Sequence, residues 1–157
     1  APEDSQAQLA AFAQPAVAQW IDQTIEEGLS IPGAEDLAAM LRGGPRLVAC
    51  EHGTFLRPSV IWCASMEHPL ANREFLFPYA SVVEVPQAGM LEAIGPSLVV
   101  SALTADPEFK RELLRSTHID RLNLGAIPTT KVGWDQPHEG NLFEFLYQRR
   151  AIQLEAV

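Results

Sequence analysis

Apolar, β-rich runs at residues 59–64, 80–85, 98–103 and 119–124 are the feature that most constrains this chain, because helical signals separate the later ones. Met90–Ile94 reads as a short helix. Asp106 followed by Pro107 reads as a cap with a first-turn proline, opening a helix over 106–116 that carries Phe109, Leu113 and Leu114 on one face. Continuous apolar strands are the kind buried on both faces. Their alternation with helices predicts an α/β fold, a mainly parallel sheet with flanking helices and right-handed crossovers.

The first third is read the same way. Leu9, Phe12, Val17, Trp20, Ile21 and Ile25 recur at helical spacing, and Pro15 splits them into two helical pieces, the second ending at Gly28. A short helix is expected over 34–42, stopped by Gly43-Gly44, then a strand over 47–50 and a turn around Gly53 over 52–58. Beyond Gly125, glycines and prolines punctuate a long loop before a helix over 141–150 that ends in Arg149-Arg150. Its segment Trp134-Asp135-Gln136-Pro137-His138-Glu139-Gly140 suits a site, an interface or a well-anchored loop equally.

A chain of 157 residues is sized for one core. Its net charge of −9 leaves no clustered cationic surface to displace counterions from phosphates, so nucleic acid is not an expected partner. No apolar run is long enough to span a membrane and the amino-terminal residues lack signal-peptide character, so a cytoplasmic location is expected. Cys50 and Cys63 are too few for a disulfide framework; reduced thiols are expected, and a single bridge stays open.

The residues taken alone carry little chemistry. Cys50 and His52 share a face only if their strand persists, and then form a candidate dyad. Cys50, His52, Cys63 and His68 have no paired-ligand spacing, so no metal site is expected. No glycine-rich dinucleotide or phosphate loop is present.

Gly43-Gly44, the stretch Gly53 to Val60 and Glu74-Phe75-Leu76-Phe77-Pro78, taken in that order, resemble segments of the aldehyde dehydrogenase superfamily. Residues 17–28 resemble its helix before a Glu-Gly-Ala turn, and Gly43-Gly44 its Gly-Gly before a strand. Gly53-Thr54-Phe55-Leu56-Arg57-Pro58-Ser59-Val60 is similar to Gly-x-Phe-x-x-Pro-Thr-Val. Glu74-Phe75-Leu76-Phe77-Pro78 is similar to Glu-x-Phe-Gly-Pro, with Leu76 at the family's aromatic position and Phe77 at its glycine. Residues 95–103 resemble a strand around Leu-x-x-x-Val-x-Thr, Leu122-Asn123 falls at Val-Asn, and Pro137-His138-Glu139-Gly140 falls at Pro-Phe-Gly-Gly.

The resemblance implies the C-terminal part of a catalytic domain, residues 1–157 forming a single partial domain of an NAD- or NADP-dependent oxidoreductase that converts an aldehyde to its acid. It assigns Glu74 to the nicotinamide ribose hydroxyls, where an ionised carboxylate accepts two donors, and Leu76 to the wall beside them. The other reading of Glu74 is a capped or Arg73-paired carboxylate. Gly125, Ala126, Ile127 and Pro128 fall where the family lines the aldehyde's path. The family's nucleophilic cysteine, general base and cofactor domain fall upstream of Ala1, so the chain alone is expected to be inactive and to hold no cofactor. Its expected partners are the rest of the dehydrogenase, a small aldehyde and further copies of itself through an exposed sheet face or edge. The alternative is a non-catalytic binding or assembly module that keeps the fold.

Overall fold

Pro15 occupies the first turn of helix α1 (Pro15–Leu29), where its missing N–H costs nothing. Ala18, Ile21, Ile25 and Gly28 form its buried stripe. The earlier helical piece expected over residues 9–14 is absent. Gln14 is extended, as a residue before proline prefers, and Phe12 N–H donates to Thr54 O at 2.8 Å in an antiparallel bridge. The computed structural model describes residues 9–131, 146, 147 and 153, and divides the chain into two compact units, Ala1–Pro86 and Gln87–Val157.

In the first unit the helix expected over 34–42 is replaced by two elements, strand β1 (Ala34–Asp36) and helix α2 (Ala39–Arg42). Asp36 causes the change: its carboxylate accepts the Ala38 N–H at 3.1 Å and ends the strand in a local turn. Gly43, at φ 62°, supplies the expected left-handed stop. Strands β2 (Leu47–Cys50) and β3 (Gly53–Leu56) form an antiparallel hairpin. The expected turn over 52–58 is thus shorter, closing at Glu51-His52, because Thr54, Phe55 and Leu56 are buried by pairing.

Strand β4 (Ser59–Cys63) lies between β1, antiparallel, and β5 (Tyr79–Val83), parallel. Neither β4 nor β5 is buried on both faces. Ser59, Ile61 and Cys63 are buried while Val60 and Trp62 are half-buried, and in β5 Ala80 and Val82 are exposed. Apolar residues therefore occur on the outer face as well, which hides the period of two in the sequence. The inner face joins α1 in one core of Ala18, Ile21, Ile25, Leu56, Ile61, Cys63, Leu70 and Ala71. Each aliphatic side chain buried there contributes about 1.5–3 kcal/mol.

A cationic network closes this core. Arg46, 3% exposed, donates to Asp22 at 2.8 Å, Glu26 at 3.0 Å, Asp36 at 3.0 Å and Ser59 Oγ at 2.9 Å. Arg42 adds a 2.5 Å bond to the same Asp36 oxygen. A buried guanidinium is tolerated only with such partners. Burial opposes the Arg46 charge, but the three carboxylates outweigh it and raise its pKa.

The second unit is built from helix α3 (Met90–Ile94), strand β6 (Ser97–Ala102), helix α4 (Pro107–Arg115) and strand β7 (Ile119–Leu124). Asp106 caps α4, accepting the Glu108 N–H at 2.9 Å. Phe109 and Leu113 are buried, whereas Leu114 is exposed. The parallel pair β6–β7 is joined through α4, as the alternation requires. The architecture is therefore α/β with mixed pairing: β4–β5 and β6–β7 are parallel, β1–β4 and β2–β3 antiparallel. The expected helix over 141–150 and the segment from Trp134 to Gly140 lie outside the described residues.

Candidate functional site

Two parallel strands need a crossover, and residues 64–78 cross from β4 to β5 without a helix. What replaces the helix is a set of anchors. Leu70 and Ala71 are buried in the core. The Leu70 carbonyl accepts the Tyr79 hydroxyl at 2.8 Å and the Ala71 carbonyl accepts Ser81 Oγ at 2.5 Å. Burial pushes the Tyr79 hydroxyl up to about 12, so it remains a donor. Phe75 meets Tyr79 edge-on with ring centroids 5.0 Å apart, and Phe77 packs on both rings.

With Phe75 and Phe77 turned into this aromatic cluster, the alternate residues Glu74 and Leu76 are exposed, Leu76 at 87%. Glu74 makes no hydrogen bond or ion pair among the described residues. The pairing with Arg73 does not form, since Arg73 Nε donates to Pro69 O at 3.1 Å instead. Phe77 packs into the cluster with Phe75 and Tyr79. The segment thus presents an unpartnered carboxylate and an apolar side chain on an anchored support, suited to accept hydroxyl donors beside a nonpolar contact.

Gly125, Ala126, Ile127 and Pro128 belong to the second unit, following β7. Gly125 has φ 112°, a conformation that favours glycine, and its N–H donates to Ala102 O at 2.9 Å. Ala126, Ile127 and Pro128 are exposed. Glu74 and Leu76 therefore come from one unit and this loop from the other.

The cysteine and histidine candidates are paired differently from their order in the chain. Cys50 ends β2 and His52 lies in the β2–β3 turn, where His52 Nε2 lies 3.3 Å from Glu51 on the exposed surface, and Cys50 is a free thiol. Cys63 instead meets His68, Sγ to Nδ1 3.7 Å. Cys63 is fully buried, and burial pushes its thiol up. No group of three or more His, Cys, Asp or Glu residues able to hold a metal occurs among the described residues. None of their helices is long and apolar enough to cross a membrane.

Residue spacing alone does not reveal the Arg46 network or the polar residues that bond the 125–131 loop. Arg46 carried one signal, a cation placed directly before an apolar strand, and its own burial demands carboxylates elsewhere. No protein-family model matches this chain, and no curated protein matches it.

Proposed function

We propose that this chain is part of an NAD(P)-dependent oxidoreductase of the aldehyde dehydrogenase type, which oxidises an aldehyde to a carboxylic acid. The observation that carries the reading is Glu74, an exposed carboxylate without a partner among the described residues, held on an anchored crossover within the Glu-Phe-Leu-Phe-Pro segment. Glu74 would accept the nicotinamide ribose hydroxyls and Leu76 would supply an apolar wall, two demands that their exposure meets. When bound, the dinucleotide supplies the hydride acceptor. The loop of Gly125, Ala126, Ile127 and Pro128, uncharged and exposed from Ala126 onward, would line the path of a small aldehyde.

The nucleophile and the general base are assigned to the rest of the dehydrogenase. Cys63 is unsuited to the first role, since it is fully buried and its thiol is pushed up, and the thiolate is the reactive form. In this reading the mixed pairing described above is part of a mainly parallel sheet completed outside the chain, and the isolated chain turns over no aldehyde. Its partners are the remaining dehydrogenase segments and further copies of itself.

The test is the reading frame upstream of Ala1 and the activity of the protein it encodes. A cysteine in a Gly-Gln-x-Cys setting, a dinucleotide domain and aldehyde-dependent reduction of NAD or NADP are expected. Absence of that activity from a complete reading frame overturns the proposal. A binding or assembly module would then be the better reading, favoured by the exposed Leu76, Met40 and Leu41.

A further inference from the structure

We infer that Arg121 is a positioning residue for the 125–131 loop and thereby for the aldehyde, an assignment that rests on the proposed function. Arg121 and Asn123 sit two residues apart on β7, so they share one face, and each is 5% exposed. Both act on the loop. Arg121 Nη1 donates to Lys131 O at 3.3 Å and Nη2 donates to Thr129 O. Asn123 Nδ2 donates to Ser101 Oγ at 3.0 Å, and that hydroxyl donates to Ile127 O at 2.6 Å.

The electrostatics make Arg121 and the loop depend on each other. No carboxylate pairs with Arg121 among the described residues, and its Nε is buried without a partner. An uncompensated buried cation is costly, so the carbonyls of Thr129 and Lys131 are the groups that hold the charge. Releasing the loop would strand the guanidinium, which makes the loop a preformed wall instead of a mobile flap. Three amides inside it report its order: Gly125 N–H to Ala102 O, Ile127 N–H to Gly125 O at 2.8 Å and Lys131 N–H to Pro128 O at 3.0 Å.

Hydrogen exchange at those three amides, compared between the parent and Arg121→Met, tests the assignment in the full dehydrogenase together with steady-state kinetics. The expected result is exchange at least about tenfold faster in the loop with β6 unchanged. The KM for aldehyde should rise about tenfold while the KM for the dinucleotide stays, because the proposed function assigns the loop to the aldehyde's path and Glu74 to the dinucleotide. Ser101→Ala, which frees the Ile127 carbonyl and removes the acceptor of Asn123 Nδ2 while leaving both Arg121 bonds in place, gives the same pattern more weakly and serves if Arg121→Met does not fold. Unchanged loop exchange in the variant that folds overturns the assignment, as does faster exchange with an unmoved aldehyde KM. Loss of protection in a protein that oxidises no aldehyde overturns the functional reading while leaving the contact between Arg121 and its loop intact.

Discussion

Cys63 Sγ stands 3.7 Å from His68 Nδ1, the nitrogen that also accepts the Leu70 N–H at 3.2 Å. Accepting that backbone hydrogen leaves the imidazole proton on Nε2, so the thiol is the donor in the sulfur contact. The pair ties the end of β4 to the crossover that carries Glu74. It is a structural contact, because Cys63 is fully buried and its thiol is pushed up.

Thiol labelling of the folded protein should therefore modify Cys50, which is partly exposed, and spare Cys63 until the chain unfolds. Equal labelling rates for the two cysteines under native conditions would contradict this placement.

Gly28 is required by a close approach. A Cβ at this position would lie 2.5 Å from Leu70 Cγ, and Leu70, only 1% exposed, has nowhere to move. Gly28→Ala should destabilise the protein by about 1–3 kcal/mol in denaturant unfolding, despite alanine's better helix propensity. A neutral or stabilising outcome would mean that the helix and crossover are less tightly packed than described.

Asp36 gives the stability a defined pH dependence. Burial alone would raise its pKa, but hydrogen bonds from Arg42 and Arg46, with their charges, outweigh burial and lower it from 3.8. A carboxylate depressed on folding contributes stability that is fully present above its ordinary pKa and lost as pH falls through the folded value. Asp36→Asn should cost about 3 kcal/mol near neutral pH, where breaking a buried ion pair leaves Arg46 undercompensated. Its deficit against the parent should shrink below pH 3.8. A deficit that is constant with pH would contradict the linkage.

Leu70 and Leu76 separate support from presentation. Leu70→Ala should cost about 2–5 kcal/mol through the cavity it leaves, whereas Leu76→Ala should change stability by less than about 0.5 kcal/mol. Comparable losses at the two positions, measured by thermal or denaturant unfolding, would place Leu76 in the core.

Much of the second unit was legible because its elements are local: Met90–Ile94 and Ile119–Leu124 coincide with their expected ranges, and Asp106-Pro107 marks the start of α4. The first unit was harder, since its outcome depends on distant partners. Residues 34–36 carry no strand signal until β4 pairs with them, and Phe12 leaves helical spacing for a bridge to Thr54. Cys50 and His52 are close in sequence yet one ends a strand and the other lies in an exposed turn, while Cys63 and His68 meet only because the crossover folds back. Glu74 and Leu76 stood out through a resemblance; their exposure follows from the aromatic alternation Phe75, Phe77, Tyr79, a pattern visible in the sequence.

The most direct measurement of the proposed function is the KM for NAD or NADP of the complete protein carrying Glu74→Gln, beside its parent. If Glu74 holds the ribose hydroxyls as proposed, loss of its charge should raise that KM by about 10–100-fold, with folding stability unchanged because Glu74 has no partner among the described residues. A parent enzyme whose dinucleotide KM is the same with glutamate or glutamine at this position would contradict it.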